Sequence, residues 1–180
     1  MLEVLADGVG KRPKGSHMLK LSWTDIETLS ASIADQVAQR HGPIDPDTVL
    51  VGVARGGLIP AALVAHRLGL RKMTSLGLMS YADGVEGAQG RMQAYGAAPE
   101  AAAIVIDDII DSGRTLEEVR ARYPDAIVAA LIDKTGGVSG VIAGKQTPAG
   151  EWVEFPWEHK KLTTAPQAPA RAPLTMADTP

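Results

Sequence analysis

Residues 104–115, Ile-Val-Ile-Asp-Asp-Ile-Ile-Asp-Ser-Gly-Arg-Thr, constrain the fold of this chain more than any other stretch. Three β-branched residues run straight into adjacent carboxylates, and a Ser-Gly-Arg-Thr segment then leads into a helical pattern from Thr115 to Tyr123. A short apolar run of this kind is what a strand buried on both faces looks like. A strand is expected over 102–107, with the acids at its end. Consecutive carboxylates at a strand end are expensive unless they bind a metal or sugar hydroxyls. Hydroxyls and backbone N–H groups at a helix start form a phosphate cradle. Capping that helix takes one aspartate, and here there are three, Asp107, Asp108 and Asp111. One loop is therefore expected to hold a ribose at one end and its 5-phosphate at the other.

The rest of the chain supplies a sheet around that strand. Thr24 and Glu27 have capping-box spacing, and Ile26, Leu29, Ile33 and Val37 follow at helical intervals, predicting an amphipathic helix over 25–40. Val49 to Val53 reads as a second buried strand. Pro60 fits the first turn of a helix that runs through Leu63, Val64 and Leu68 to Gly69 as its C-cap. Residues 73–79 and 127–132 read as strands, and Pro124 stops the helix that begins at Thr115. This alternation predicts a three-layer α/β domain, a mostly parallel sheet with helices on both faces. Ligands of such sheets sit beyond the carboxyl ends of the strands. There, after Val53, comes Ala54-Arg55-Gly56-Gly57, where paired glycines admit an anion to the backbone and Arg55 offers a forked donor.

Composition removes most other classes. With 180 residues, 45% of them hydrophobic and 22% charged, the chain suits one globular domain. It has no cysteine, which excludes a disulfide framework, a thiolate nucleophile and a cysteine zinc site. A net charge of −3 gives no general reason to bind nucleic acid or an anionic membrane. No apolar run approaches the ~20 residues of a membrane span. The expectation is a soluble, cytoplasmic protein without nucleic-acid partners or an integral membrane segment. Residues 1–17 read as an expression tag ending in a Gly-Ser-His scar, and Ala- and Pro-rich 163–180 reads as a flexible tail. The folding unit is 18–162.

The motifs at 104–115 and 54–57 resemble those of type I phosphoribosyltransferases: apolar residues, two acids, then Asp-Ser-Gly-x-Thr, together with an Arg-Gly-Gly pyrophosphate loop. Further marks are similar to the bacterial xanthine-guanine branch: Ser22-Trp23-Thr24 before the first helix, Ser80-Tyr81 opening a long loop, Lys134 just past a strand, and Trp152-Val153-Glu154-Phe155-Pro156-Trp157-Glu158. The likeness covers about 20–160. It implies the type I phosphoribosyltransferase fold with a small C-terminal hood over about 135–162. The implied activity is transfer of a phosphoribosyl group from 5-phosphoribosyl 1-pyrophosphate to a 6-oxopurine, with Mg²⁺ and in a homodimer or homotetramer.

Carried onto this sequence, the resemblance implies a role for each matching residue. Arg55, Gly56 and Gly57 bind pyrophosphate. Asp107, Asp108, Ile109, Ile110, Asp111, Ser112, Gly113, Arg114 and Thr115 form the phosphoribosyl site, with Asp108 toward the metal and Ser112 to Thr115 around the 5-phosphate. Asp111 accepts a proton at purine N7 and is the catalytic residue. Lys134 hydrogen-bonds the 6-oxo group, Trp152 stacks on the base, and the Val153 backbone meets its 2-substituent. The stretch 81–99 would be a lid, from which Arg91 reaches a phosphate, and the Ala54–Arg55 peptide is expected to be cis. Arg114 departs from the pattern, standing where the xanthine-guanine branch often has glycine. Taken alone, Lys134 reads as a solvated loop lysine and the tryptophans as packing residues. His41, His66 and His159 carry no assigned chemistry. Two alternatives stay open: the same enzyme class acting on a modified purine, and a non-catalytic regulator that senses nucleotides or phosphoribosyl pyrophosphate.

Overall fold

The apolar runs form the middle of one sheet, and the helices are sorted to its faces by the side chains those runs present. The computed structural model describes residues 17–81, 91–95 and 98–158. In chain order its elements are β1 (Met18–Lys20), α1 (Trp23–His41), β2 (Val49–Ala54), α2 (Leu58–Leu68), β3 (Lys72–Tyr81), β4 (Arg91–Tyr95), β5 (Ile104–Ile110), α3 (Arg114–Arg122), β6 (Ile127–Asp133), β7 (Val141–Gln146) and β8 (Trp152–Glu154). Six strands make the main sheet in the order β4-β3-β2-β5-β6-β7, and β1 pairs with β8 in a separate ribbon. All pairings are parallel except β3 with β4.

Alternation along the strands builds two cores. Leu50, Ile104, Ile106, Ala129 and Ile142 turn to the face covered by α1 and α2, where they meet Ile26, Ile33, Val37, Ala61 and Val64. Val51, Val53, Val105, Val128 and Ala130 turn to the other face and pack with Leu116, Val119 and Tyr123 of α3. Each such aliphatic side chain contributes about 1.5–3 kcal/mol when fully buried, so these interleaved sets supply most of the driving force. The expected three layers, with helices on both faces, are present.

Four boundaries differ from the sequence reading. First, α1 starts two residues earlier than expected and its capping box is Ser22 with Asp25, not Thr24 with Glu27. The Asp25 N–H donates to Ser22 Oγ at 3.2 Å, and the Ser22 N–H donates to Asp25 Oδ2 at 2.8 Å. Both pairs have the right spacing. Ser22 wins because Leu21 before it and Ile26 after it are buried in the same core, a hydrophobic staple that fixes where the helix begins.

Second, β5 runs on through both acids to Ile110, because its ladder with β6 continues to the pair Ile110–Asp133. Asp107, the expected last strand residue, and Asp108 thus both lie within the strand, which ends three residues later than expected. Third, the long connection after Tyr81 contains β4, which pairs antiparallel with β3 from Tyr81–Arg91 to Gly77–Tyr95. Residues 82–90, the rest of the expected lid, lie outside the described residues. Fourth, β7 is an edge strand of the main sheet although it falls within the expected hood segment. Val141 and Ile142 send one side chain to each core, which draws the strand into the sheet.

Residues 1–16 of the expected tag, and 163–180, expected as a tail, also lie outside the described residues. His17, set aside with the tag, takes part in the ribbon through its carbonyl, which accepts the Trp152 N–H at 2.9 Å. Among the described residues no helix is long and apolar enough to cross a membrane.

The capping box gives a direct check on how α1 is registered. Ser22→Ala should cost about 1 kcal/mol and lower the melting temperature by about 2–4 °C. Thr24→Ala, at a position inside the first turn, should change it far less, and calorimetry on the two variants separates them.

Candidate functional site

The chain leaves β2 outward through β3 and β4, returns to the centre as β5, and then leaves through β6 and β7 on the other side. The sheet order therefore reverses between β2 and β5, and a crevice opens beyond their carboxyl ends, the usual ligand position in an open α/β sheet. The loops that enter it are those the motifs singled out.

After β2 the Ala54–Arg55 peptide is cis, as expected. The Arg55 side chain is exposed and has no hydrogen-bond or ion-pair partner among the described residues. Gly56 and Gly57 are required by close approach. A β-carbon on Gly56 would lie 1.8 Å from Asp108 Oδ2, and one on Gly57 would lie 2.6 Å from the Ile106 carbonyl and 2.7 Å from that of Val53. The loop thus sits directly on the acidic end of β5, which joins Gly56, Gly57 and Asp108 into one surface.

Asp107 is buried, and its Oδ1 accepts the Asp108 N–H at 2.9 Å. Asp108 Oδ1 accepts the Ile109 N–H at 3.0 Å. Burial, and then the neighbouring Asp108 charge, push the Asp107 carboxyl well above the ordinary value of 3.8. Burial also raises Asp108, against the hydrogen bonds that favour its charged form. Two carboxylates held this way fit a hard divalent cation, which would relieve both the desolvation and the repulsion. No group of three or more acidic or histidine ligands occurs among the described residues. A cation here would complete its shell with substrate oxygens and water, which is the habit of Mg²⁺ rather than of an ion in an all-protein cage.

Beyond β5 lie Asp111 and Ser112, both exposed, and Gly113, the N-cap of α3 at φ +82. No side chain caps this helix, so the N–H groups around Gly113, Arg114 and Thr115 stay open to an anion. The half-buried Arg114 has no side-chain partner among the described residues and adds a cation at the same helix end.

Lys134 stands one residue past β6, and its N–H donates to the Ile110 carbonyl at 2.9 Å. Its Nζ lies 2.8 Å from Asp111 Oδ1, with the lysine side chain 10% exposed and the aspartate 63%. The lysine is therefore a buried cation pinned at one end by the sheet, not a solvated loop residue.

Sequence reasoning did not single out the residue before it, Asp133. That carboxylate accepts the Thr135 N–H at 2.8 Å. The Asp-x-Thr-Gly-Gly pattern at 133–137 is the signal that could have found it, as an Asx turn. It also did not assign Glu158, whose carboxylate accepts the Phe155 N–H at 3.0 Å. Burial raises the Glu158 carboxyl, and the Asp108 charge adds to that, so the chain after β8 returns toward the acids.

The remaining candidates are more scattered. Trp152 is half-buried on the β1–β8 ribbon, and its ring stacks on no other aromatic among the described residues. The ladder with the β1 segment uses the Trp152 N–H and the Glu154 carbonyl, so the peptide groups of Val153 between them face the other edge of the ribbon. The Val153 side chain is core. Trp157 stacks on Phe155 at 4.7 Å and tilts against Trp23 at 6.0 Å, which makes those rings packing residues. Arg91 opens β4 opposite Tyr81, and the contacts of its side chain lie outside what is described.

Comparison with known proteins places this arrangement in context. The phosphoribosyl transferase domain family matches residues 21–159. The xanthine-guanine phosphoribosyltransferase of Gluconobacter oxydans is 32% identical over 161 residues, 86% of this chain and 92% of that protein. That of Roseobacter denitrificans is 33% identical over 156 residues, 81% of this chain and 86% of its own. Among solved structures, a purine phosphoribosyltransferase from Pyrococcus horikoshii superposes with a TM-score of 0.63 at 24% identity, covering 82% of this chain and 99% of that one. A Neisseria gonorrhoeae protein with bound ppGpp gives 0.65 at 18% identity, covering 81% and 92%.

The raised Asp107 carboxyl has a consequence for stability. A carboxyl whose folded-state pKa is raised stabilises fully only below its unfolded value, here 3.8, and loses that contribution as pH rises through the folded value. In the absence of ligand and metal, Asp107→Asn should therefore raise the urea midpoint at pH 7, and the gain should close as pH falls toward 3.8. An Asp107→Asn midpoint equal to wild type at pH 7 would contradict the assignment.

Proposed function

Because the chain belongs to the phosphoribosyl transferase domain family, we propose that it transfers a phosphoribosyl group from 5-phosphoribosyl 1-pyrophosphate to a 6-oxopurine, guanine and xanthine first and hypoxanthine next. In this reaction the bond from the ribose C1 to pyrophosphate breaks, purine N9 bonds to C1, and the base gives up a proton. The observation that carries the purine half is the Lys134–Asp111 ion pair across the crevice from the Arg55-Gly56-Gly57 loop. A cation and an anion 2.8 Å apart match the paired acceptor and donor of a 6-oxopurine, its O6 and its N7 edge. A 6-amino group would leave the buried ammonium facing a donor, which is costly.

Asp111 takes up or shares the N7 proton as the base becomes a nucleophile. The amides at Gly56 and Gly57 and the Arg55 guanidinium receive the leaving pyrophosphate, and the open N–H groups from Gly113 to Thr115 fix the 5-phosphate. Holding both anions in line with the base supplies orientation that a bimolecular encounter lacks. Asp107 and Asp108 face the ribose hydroxyls, and Asp108 is the residue to hold Mg²⁺. When bound, that ion neutralises charge growing on the pyrophosphate. Trp152 offers a stacking face and Val153 its peptide groups to the base. The working protein is a cytoplasmic homodimer or homotetramer.

One observation favours a second reading. The Neisseria gonorrhoeae structure, which shares this fold, has ppGpp bound, and this supports the reading of a regulator that binds nucleotides without turning them over. Turnover separates the two. Supplied with phosphoribosyl pyrophosphate, Mg²⁺ and a panel of guanine, xanthine, hypoxanthine, adenine, uracil and orotate, the enzyme forms nucleotide from the 6-oxopurines only. Binding without turnover of any base would select the sensor. Asp111→Asn should lower kcat about 10²-fold or more while the KM for phosphoribosyl pyrophosphate moves little. An unchanged kcat would remove its proton-transfer role.

A further inference from the structure

Asp133, 1% exposed, has the least solvent exposure of any charged residue among those described, and the reaction just outlined does not use it. It ends β6, in register with Ile110 of β5 and Gln146 of β7. Burial alone would push its carboxyl up. The hydrogen bonds it accepts from the Thr135 hydroxyl and N–H, helped by the nearby N–H dipoles of Val138 and Gly137, outweigh this and hold it below the ordinary 3.8. Gly136 and Gly137, with φ of +85 and +100, let the backbone turn tightly directly after Thr135.

The main chain on either side is clamped as well. The Asp133 carbonyl accepts the Thr147 N–H at 2.9 Å, and the Lys134 N–H donates to Ile110 at 2.9 Å. The ammonium of Lys134 pairs with Asp111, and Asp133 makes no ion pair with it. The two aspartates therefore divide the work: Asp111 meets the head group, and Asp133 shapes the backbone from which that side chain springs.

We infer that Asp133 is a positioning residue for base recognition. Its carboxylate winds the 134–138 turn, which sets where the Lys134 ammonium stands in the crevice and so how strongly a 6-oxo group is preferred over a 6-amino group. The inference rests on the purine reading above. It differs from simple turn capping because it demands energetic coupling between Asp133 and Lys134.

The test is a double-mutant cycle with Asp133→Ala, Lys134→Ala and the double variant, alongside Asp133→Asn and Thr135→Val as milder changes. Amide exchange is followed in the ligand-free proteins, and kinetics with guanine, hypoxanthine and adenine. In Asp133→Ala, exchange at 134–138 should rise while the amides of β2 and β5 stay protected. The KM for the 6-oxopurine should rise roughly 10–100-fold, the scale of a misplaced binding group, with the KM for phosphoribosyl pyrophosphate within about twofold. Adenine should gain relative to guanine.

Adding Asp133→Ala to Lys134→Ala should have little further effect on the purine KM, whereas independent effects would multiply. Asp133→Asn, which keeps an acceptor oxygen, and Thr135→Val should fall between wild type and Asp133→Ala, and they remain informative if the alanine variant does not fold. Unchanged exchange at 134–138, or multiplicative effects in the cycle, would overturn the inference. Failure of the purine reading would show separately, as wild-type protein that turns over no 6-oxopurine. The same cycle is then read as the Kd of guanosine 5′-monophosphate, with the same two outcomes deciding.

Discussion

The contact between the β2 loop and the acidic end of β5 is what the candidate site depends on. Asp107 and Asp108 are carried inside a strand, not on a loose turn, because the β5–β6 ladder continues past them to Ile110. Asp108 then fills the space that a side chain at position 56 would need, while the backbone at 57 lies against the Ile106 and Val53 carbonyls. The anion-receiving loop and the carboxylates are thereby held at van der Waals distance by the two central strands, the most rigid part of the sheet. Side chains on scaffold strands hold their geometry better than side chains on loops, and a transfer reaction that works chiefly by alignment needs that rigidity.

This arrangement keeps unfavourable terms in the folded protein. Burial resists charging both Asp107 and Asp108, and the Asp108 charge adds to it at Asp107. Arg55 and Arg114 have no side-chain partners among the described residues, and the first N–H groups of α3 have no cap. Each is an incomplete interaction of a sign that a phosphorylated sugar with a divalent cation would complete. Aliphatic packing on the two faces offsets these terms, which is why the cores have to be as continuous as they are along β2, β5 and β6. At the base end the protein completes its own interaction instead, through Lys134 and Asp111. On the proposed reading the phosphate end is left open, whereas the base end exchanges an internal ion pair for the purine edge, and that exchange is where selectivity can arise.

Much of this was legible in the sequence because it rests on local rules. Apolar runs bounded by Gly, Pro and acids located β2, β5 and β6, and the alternation of strand and helix predicted the layers. Two acids followed by Asp-Ser-Gly-x-Thr located the crevice. What escaped was decided by distant partners. The spacing of Thr24 and Glu27 is as good as that of Ser22 and Asp25, and only the burial of Leu21 with Ile26 chooses between them. The length of β5 depends on β6, and the membership of β7 in the main sheet depends on where Val141 and Ile142 find cores. Lys134 looks solvated in one dimension because its burial comes from Ile110 and Asp111, more than twenty residues away in sequence.

Asp133 escaped for a different reason. A lone acid before a lysine suggests a surface ion pair, and the tertiary structure gives the pair to Asp111 instead. Once Lys134 is committed to the crevice, the carboxylate beside it can be buried only if something other than that lysine neutralises it. The turn supplies dipoles in place of a charge, through Thr135 and two consecutive glycines in the left-handed region. The Thr135 bonds to Asp133 belong to the turn itself, so on the proposed reading they hold the start of the β6–β7 connection still while Lys134 trades Asp111 for a ligand.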